Sequence, residues 1–285
     1  MSAKILDGRL VSDFILKGVS CAVPYAVAEG VLPKLVIILV GDSPASLSYV
    51  RQKDVAAHKT GIAYEQMNLA ETITTGKLVS VIEKLNKDKS VHGILVQLPL
   101  PRHISVPIVI RAIDPQKDVD GFGAYNIGKM FLSAEFEHLA PCTPKGIISL
   151  LEYYKLPVAG KHVVIVGRSN IVGKPLAAML TNRDATVTLC HSKTKNLAKF
   201  TLQADILVAA VGKPKMIKAN MVKNGAIVID VGTTKVKNKL VGDVDFDSVK
   251  AKAKWITPVP GGVGPMTVAS LMENVIRAAK RLTEK

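Results

Sequence analysis

The sequence predicts an α/β protein built from two domains. Aliphatic segments of strand length alternate with segments of helical periodicity almost from end to end, a pattern typical of helices layered on a parallel sheet. The chain has 285 residues, enough for two domains of ordinary size. The segment Pro141-Cys142-Thr143-Pro144 separates two series of these units. We therefore expect a three-layer α/β domain over 1–140 and a second α/β domain over 141–265, with a cleft between them.

The first series of units leads to the segment around Gln97. Strand 36–40 is continuously aliphatic, as is typical of a strand buried on both faces. Ser43-Pro44 places a capping residue and a first-turn proline at the start of a helix, and Gly61 suits the end of that helix. The predicted strands are 36–40, 62–69 and 93–98, and the predicted helices are 43–61 and 78–85.

The second series repeats the alternation of strands and helices. Its predicted strands are 162–166, 186–190, 206–210 and 226–231, and its predicted helices are 146–154 and a segment that ends near 180. The loop Pro258-Val259-Pro260-Gly261-Gly262 then interrupts the chain. A last helix over 266–285 follows this loop, which leaves it free to return to the first domain.

The composition excludes several classes of protein. A hydrophobic fraction of 48% is too high for a disordered chain and permits two cores. The longest aliphatic runs have strand length and residues 5–9 form no signal-peptide core, so we expect a protein that is neither exported nor in a membrane. Cys21, Cys142 and Cys190 lie far apart, without metal-ligand spacing. We expect them to be reduced and buried in a cytoplasmic protein that has no metal site.

The net charge of +15 favours anionic ligands. Nucleic acid is one candidate, because its phosphates bind any basic surface. However, the lysines are scattered and aromatic residues make up only 5% of the chain, whereas single-strand binders combine basic grooves with aromatic stacking platforms. We therefore expect anionic small molecules and no nucleic acid.

A glycine-containing turn follows strand 162–166. Gly167 lets the chain leave the strand tightly, and Gly173 lets the next helix pack closely with its N-terminal amides toward a pyrophosphate. Ser169 stands where the common motif has its middle glycine, so the motif alone is weak, but its place between a strand and a helix strengthens it. We predict a Rossmann-type dinucleotide domain with Arg168 in its phosphate turn.

The end of the next strand favours NADP over NAD. NAD sites commonly carry an acidic residue about twenty positions after the turn, where it binds the ribose hydroxyls. Here the strand ends in Cys190-His191-Ser192-Lys193, without a carboxylate. Arg168, Ser192 and Lys193 suit an additional 2′-phosphate, although the two cations are also what an ordinary basic surface offers.

Four polar residues of the first domain are candidates for chemistry. Tyr49 and Lys53 are four positions apart and share a face of a predicted helix. Gln97 ends a predicted strand, and ligands of open α/β sheets collect beyond the carboxyl ends of strands. Asp120 lies in the charged turn Lys117-Asp118-Val119-Asp120-Gly121. None of these features is specific by itself.

Taken together, five segments are specific. In this order they resemble the family of bifunctional methylenetetrahydrofolate dehydrogenase/methenyltetrahydrofolate cyclohydrolases, and the resemblance covers essentially the whole chain. The segments are Tyr49-x-x-x-Lys53, Val96-Gln97-Leu98-Pro99-Leu100-Pro101, Lys117-Asp118-Val119-Asp120-Gly121, Gly167-Arg168-Ser169 with Gly173-x-Pro175, and Pro258-Val259-Pro260-Gly261-Gly262-Val263-Gly264-Pro265-Met266-Thr267.

The resemblance implies a role for each candidate in the first domain. Lys53 is then the central acid–base group, Gln97 its hydrogen-bond partner, Tyr49 a surface that stacks on the folate, and Asp120 the group that holds the pterin edge. The last helix is implied to pack on the first domain. The remaining implied substrate-binding residues are Val96, Leu98, Pro260, Gly261, Gly262, Val263 and Gly264.

The resemblance also implies the cofactor, the substrates and the assembly. The cofactor is NADP, and the substrates are one-carbon adducts of tetrahydrofolate, whose polyglutamyl forms suit a basic surface. The implied assembly is a homodimer. The implied cofactor-binding residues are Gly167, Arg168, Ser169, Gly173, Ser192 and Thr233.

Three alternatives stay open at this point. Another two-domain NADP dehydrogenase, acting on a cyclic hydroxy acid, would use a lysine–aspartate pair on a hydroxyl group, but does not account for the segment 258–267. A basic nucleic-acid-binding protein would bind with an affinity that falls steeply with salt. A folate carrier without catalysis has no evident use for Lys53 and Gln97.

Overall fold

The computed structural model describes residues 2–237 and 239–283. They form two compact units, which we name after their main sheets. The three-stranded unit contains Asp13–Lys129, Glu135–Cys142 and the residues from Val268 onward. The six-stranded unit contains the residues up to Ser12, Met130–Ala134 and Thr143–Thr267.

Strands and helices alternate through both units, as predicted. The strands are Lys4–Ile5 (β1), Lys34–Val40 (β2), Ala63–Leu69 (β3), Gly93–Val96 (β4), His162–Val166 (β5), Thr186–Cys190 (β6), Ile206–Ala209 (β7), Ile227–Asp230 (β8), Thr234–Val236 (β9), Lys239–Val241 (β10) and Trp255–Ile256 (β11). The α-helices are Gly8–Ala28 (α1), Pro44–Thr60 (α2), Thr75–Lys87 (α3), Val106–Ala112 (α4), Ala124–Leu132 (α5), Cys142–Tyr153 (α6), Gly173–Thr181 (α7), Leu197–Thr201 (α8), Phe246–Lys250 (α9) and Val263–Thr283 (α10). Single 3₁₀ turns lie at Ala134–Phe136 and Ala219–Met221.

The three-stranded unit is a parallel sheet between two layers of helices. Its strand order is β3-β2-β4, and β2 is buried along almost its whole length. Alternate residues of β2 enter different cores. Leu35, Ile37 and Leu39 pack with side chains of α1, α2 and α10, whereas Val36, Ile38 and Val40 pack with side chains of α3 and α4. The predicted three-layer α/β architecture is confirmed.

Helix α2 has the predicted start and end. Pro44 lies in its first turn, and Gly61 ends it in the left-handed conformation with φ of 78°. The third strand is shorter than predicted, since β4 ends at Val96 and Gln97 lies just beyond it. Pro99 follows too closely for the ladder to continue, because proline cannot donate a backbone hydrogen bond.

Helix α1 is an element that the sequence analysis missed. It meets the length and composition criteria of a membrane-spanning helix, but so do core helices of soluble proteins, and one third of its most apolar window is buried. Leu16, Val19 and Val23 of α1 lie in the core of the three-stranded unit. Cys21, which we expected to be buried, is exposed on this helix. The face of α1 that points away from this core carries exposed apolar residues, among them Leu10, Phe14 and Tyr25.

The six-stranded unit is a parallel sheet with the order β1-β11-β8-β7-β5-β6. Strand β5 is followed in sequence by β6 on one side, and the chain then crosses to β7 on the other side. This reversal of direction creates a switch point at the carboxyl ends of β5 and β7, where open α/β sheets bind ligands. The predicted Rossmann-type fold is confirmed.

Candidate active site

Helix α2 presents Tyr49 and Lys53 one turn apart, as the spacing predicts. Tyr49 is 38% exposed, whereas Lys53 is only 8% exposed. The Nζ atom of Lys53 donates a hydrogen bond of 2.9 Å to Oε1 of Gln97. Two residues that are 44 positions apart in sequence therefore form one buried polar pair.

Gln97 is fixed by the chain around it. Its backbone N–H donates to the carbonyl of Ile38 at 2.9 Å, so Gln97 stays tied to β2 although β4 has ended. Its Nε2 donates to the carbonyl of Leu98 at 2.7 Å. Because the amide nitrogen is already engaged, the amide oxygen is the atom that faces Lys53.

Asp118, which has no predicted role, organises the turn that carries Asp120. The Asp118 carboxylate is 2% exposed and accepts hydrogen bonds from Gly121 N at 3.0 Å, Gly123 N at 2.8 Å and Asn126 Nδ2 at 3.0 Å. A carboxylate that collects neighbouring N–H groups is a common way to fix a turn. The charged run in the sequence was the available signal, but it does not say which of its two aspartates fixes the turn.

Asp120 is electrostatically coupled to Lys53. Burial raises the pKa of Asp120, and the neighbouring charge of Asp118 raises it further. Lys53 and a hydrogen bond with Cys142 act in the opposite direction. Asp120 therefore belongs to the same polar cluster as Lys53 and Gln97, and the cluster is a local feature of the three-stranded unit.

Burial lowers the pKa of Lys53 from its ordinary value of 10.5, and the nearby negative charge of Asp120 opposes this change. A neutral amide partner does not favour the charged amine as strongly as a carboxylate would. The arrangement thus supplies an amine that can give up or take up a proton at a fixed position. Among residues 2–237 and 239–283, no group of His, Cys, Asp and Glu residues has the geometry of a metal site.

A cavity of about 320 Å³ lies at the switch point of the six-stranded unit. Its walls are formed by the last residue of β5 and by residues that follow β5, β6 and β7. The lining residues are Val166, Gly167, Arg168, Ser169, His191, Ser192, Leu197, Ala210, Val211, Lys213 and Met216. Four of the six predicted cofactor-binding residues, Gly167, Arg168, Ser169 and Ser192, line this cavity.

The glycines of the phosphate turn leave no room for a side chain. Gly167 has φ of 128°, and a Cβ atom there would lie 2.1 Å from the carbonyl oxygen of Ala210. A Cβ atom on Gly173 would lie 1.9 Å from the carbonyl oxygen of Gly167. Gly173 thus brings the start of α7 close to the turn, which suits a pyrophosphate at the helix N-terminus. The residues present fit a dinucleotide.

Ser169 and Thr233 differ in how they relate to the cavity. Ser169 Oγ accepts hydrogen bonds from Val172 N at 3.1 Å and Gly173 N at 3.4 Å, so it closes the turn. Thr233 follows β8 and is not among the described residues that line the cavity. Its contact with the cofactor stays a prediction.

The proline- and glycine-rich loop lies in the six-stranded unit. Its Gly261 carbonyl accepts hydrogen bonds from Gly8 N at 2.9 Å and Arg9 N at 3.2 Å. A Cβ atom on Gly8 would lie 1.8 Å from the Gly262 carbonyl oxygen, so this close contact needs a glycine at position 8. The contribution of Pro260, Gly261, Gly262, Val263 and Gly264 to folate binding stays a prediction.

A dinucleotide cavity in one unit and a buried lysine–amide pair in the other define a two-unit, dinucleotide-dependent α/β enzyme. Residues 6–120 match the model of the tetrahydrofolate dehydrogenase/cyclohydrolase catalytic domain, and residues 141–283 match that of the NAD(P)-binding domain. The chain therefore belongs to the tetrahydrofolate dehydrogenase/cyclohydrolase family, and it is a bifunctional enzyme of tetrahydrofolate derivatives. The predicted resemblance and activity class are confirmed.

Individual relatives agree with this assignment. The bifunctional protein FolD of Ligilactobacillus salivarius is 54% identical over 282 residues, which cover 99% of this chain and 98% of the relative. The crystal structure of FolD from Campylobacter jejuni has a TM-score of 0.94 at 45% identity and covers 98% of this chain and 99% of that one. FolD from Trypanosoma brucei, solved with NADP and an inhibitor, has a TM-score of 0.94 at 38% identity and covers 99% and 98%. At the level of the family, the predicted NADP cofactor is confirmed.

Proposed function

We propose that this chain oxidises 5,10-methylenetetrahydrofolate with NADP and then hydrolyses the methenyl product to 10-formyltetrahydrofolate, with Lys53 as the acid–base group of the hydrolysis. The observation that carries this assignment is the buried 2.9 Å hydrogen bond from Lys53 Nζ to Gln97 Oε1. We assign Tyr49 to stacking on the folate, Asp120 to the pterin edge, and Val96 and Leu98 to the walls of the substrate site.

The oxidation needs positioning more than it needs a base. The reacting carbon lies between two nitrogens, whose lone pairs stabilise the cation that remains when hydride leaves. When bound, NADP supplies the hydride acceptor. The residues of this chain then have to hold the folate at the correct distance and exclude water, a contribution that comes from orientation. Tyr49 suits this task, since an exposed aromatic ring on a helix offers a flat apolar surface.

The hydrolysis needs a proton to move. Water adds to the methenyl carbon and loses a proton, the bond from that carbon to one nitrogen breaks, and the nitrogen takes up a proton. Neutral Lys53 accepts the first proton and returns it to the leaving nitrogen, so the amine ends the reaction in the state in which it began. Burial supports this role, because it lowers the pKa of Lys53.

Arg168 and Ser192 support a preference for NADP over NAD. Both line the cavity next to the end of β6, where no carboxylate follows. We expect Arg168→Gln to weaken NADP binding about 10- to 150-fold and to change NAD binding much less, because a lost charge-assisted hydrogen bond costs about 1.5–3 kcal/mol. Cofactor titration by fluorescence measures both affinities. Lys195→Gln, which removes an exposed charge that does not line the cavity, is the matched control. Equal losses for NADP and NAD would contradict the assignment.

The domain boundaries, assembly and location belong to the same proposal. We propose a folate-binding domain over 1–140 that includes the last helix, and an NADP-binding domain over 141–265. Within the first range, the residues up to Ser12 and Met130–Ala134 pack with the six-stranded unit, since β1 pairs with β11. Core contacts of Met272 and Val275 with the three-stranded unit support the place of the helix. A cytoplasmic homodimer and the use of polyglutamyl folates rest on the family resemblance. Light scattering tests the dimer, and salt-dependent affinities for mono- and polyglutamyl substrates test the second point.

The first experiment is a spectrophotometric assay with 5,10-methylenetetrahydrofolate, run in parallel with NADP and NAD. We expect reduced cofactor to form with NADP and the methenyl absorbance to decay faster than it does in buffer. Absence of turnover with both cofactors, in protein shown to be folded, would contradict the proposed function and favour a basic nucleic-acid-binding role.

A further inference from the structure

The turn after β7 forms one wall of the dinucleotide cavity. Ala210, Val211, Lys213 and Met216 all lie in this turn and line the cavity. None of them is in a helix or strand, so regular secondary structure does not fix their position. Something else has to hold this wall if the cavity is to keep its shape.

Asp243 holds the start of the wall. Its side chain is fully buried, and its Oδ2 accepts hydrogen bonds from Val211 N at 2.6 Å and from Gly212 N at 2.9 Å. Both donors are backbone groups of the turn. The carboxylate therefore fixes the backbone of the turn, whatever side chains the turn carries.

The backbone around Asp243 holds the end of the same wall. The carbonyl of Gly242 accepts a hydrogen bond from Lys215 N at 3.0 Å, and the carbonyl of Asp243 accepts one from Ile217 N at 2.9 Å. Residues 242 and 243 thus fix the turn at both ends.

A second buried carboxylate holds Asp243 itself. Asp230, at the end of β8, accepts hydrogen bonds on Oδ1 from Asp243 N at 2.8 Å and from Gly232 N at 2.9 Å. Its Oδ2 accepts one from Val244 N at 2.9 Å. Burial raises the pKa of Asp230 to about 6, against the effect of these three N–H groups. Asp230 therefore anchors the segment that carries Asp243 to the central sheet.

Two glycines make room for the two carboxylates. A Cβ atom on Gly242 would lie 1.9 Å from Asp230 Oδ2, and a Cβ atom on Gly232 would lie 2.5 Å from Asp243 Oδ1. Any side chain at either position would displace a carboxylate. The two segments are thus complementary in shape: the glycine of each one leaves space for the carboxylate of the other. They are Gly242-Asp243 and Asp230-Val231-Gly232.

The second oxygen of Asp243, Oδ1, is buried and makes no hydrogen bond within the described part of the chain. A buried carboxylate oxygen without a hydrogen-bond partner lowers the free energy of unfolding, because its lost hydration is not replaced. The bonds from Val211 N and Gly212 N to Asp243 therefore place the turn at a cost in folding free energy.

We propose that Asp243 is a positioning residue of the cofactor site, which sets the wall 210–217 of the dinucleotide cavity through its bonds to Val211 and Gly212. The inference rests on the proposed cofactor site. Asp243 does not touch the cofactor in this scheme. It acts through the backbone of the turn.

The test compares two substitutions at this position. Asp243→Asn keeps one oxygen for both N–H groups and places its NH₂ group where Oδ1 has no partner, so we expect NADP affinity within about 3-fold of wild type. Asp243→Ala removes both bonds, and we expect NADP affinity to fall about 10-fold with a matching rise in KM. Cyclohydrolase activity, measured on methenyltetrahydrofolate without cofactor, should stay within about 2-fold for both, because Lys53 and Gln97 belong to the other unit. Asp247→Ala, at an exposed position nearby, is the control.

Hydrogen–deuterium exchange separates this inference from the proposed function. We expect faster exchange of the amides in 210–217 in Asp243→Ala than in Asp243→Asn, whether or not wild type turns over NADP. Unchanged NADP affinity and unchanged exchange in Asp243→Ala would overturn the inference. An equal loss of cofactor binding and cyclohydrolase activity would also overturn it, because it would indicate a general loss of structure. If Asp243→Ala does not fold, Asp243→Ser, which retains one acceptor, decides by the same measurements.

Discussion

Lys53→Met is expected to abolish the cyclohydrolase activity, with a loss of about 10²–10⁴-fold, which is the usual contribution of a positioned acid–base group. Methionine has nearly the length of lysine and suits a buried site, but it cannot carry a proton. The dehydrogenase activity should fall less, since the oxidation depends on the position of the folate more than on proton transfer. Decay of the methenyl absorbance measures the first activity, and formation of reduced NADP measures the second.

The substitution should leave the fold intact. Lys53 is 8% exposed, so the substitution removes the desolvation cost of a buried amine. It also leaves the buried Oε1 atom of Gln97 without its hydrogen-bond donor, which costs stability. These effects oppose each other, and we expect the thermal midpoint to stay within a few degrees of wild type. Lys59→Met removes an exposed lysine from the same helix and serves as the control. A folded Lys53→Met enzyme that hydrolyses the methenyl substrate at the wild-type rate would show that another group moves the proton.

Continuous apolar runs made much of the fold predictable. Strand β2 is aliphatic at almost every position because both of its faces are buried, and strand β5 leads straight into a glycine turn, so each had a clear signal in the sequence. Strands β1 and β11 contain only two residues each, and their pairing joins positions 4 and 255. No local pattern predicts such a contact, since its stability comes from the sheet that it completes.

Helix α1 escaped prediction for a different reason. Its exposed face carries Leu10, Phe14 and Tyr25, so the alternation of apolar and polar positions that identifies an amphipathic helix is weak. Pro24 lies inside the helix, although a proline in a sequence normally predicts that a helix ends there. Its packing against β2 and α10 is a tertiary property, and it overrides both signals.

The candidate site was predictable where spacing alone fixes a shared face. Tyr49 and Lys53 were expected together from their spacing on a helix, whereas the partnership of Lys53 with Gln97 came only from the family resemblance. Asp118 and Asp243 were missed as functional residues, because each works by accepting backbone N–H groups in a loop. The charged run 117–120 was the available signal for Asp118 and the pair Gly242-Asp243 for Asp243, but both patterns are also common in ordinary exposed turns.

Gln97→Glu tests whether the neutral partner of Lys53 is what keeps the amine usable as a base. A carboxylate within hydrogen-bond distance favours the charged amine and raises its pKa by about 1–3 units, so the neutral fraction near pH 7 falls by about 10- to 1,000-fold. Cyclohydrolase activity should fall by a similar factor. In wild type, burial lowers the pKa of Lys53, so hydrolysis should rise with pH and level off below pH 10.5. In Gln97→Glu the inflection should move to higher pH.

Two further variants separate charge from geometry. Gln97→Leu removes the hydrogen bond without adding a charge, so it should reduce the rate while leaving the inflection at or below its wild-type position. Gln116→Glu adds the same charge at an exposed position of the same unit and should change neither quantity. A pH–rate profile of hydrolysis for the three variants and wild type decides the point. If Gln97→Glu hydrolysed the substrate as fast as wild type at neutral pH, Lys53 would have to act in its charged form, and the proton would leave water by another route.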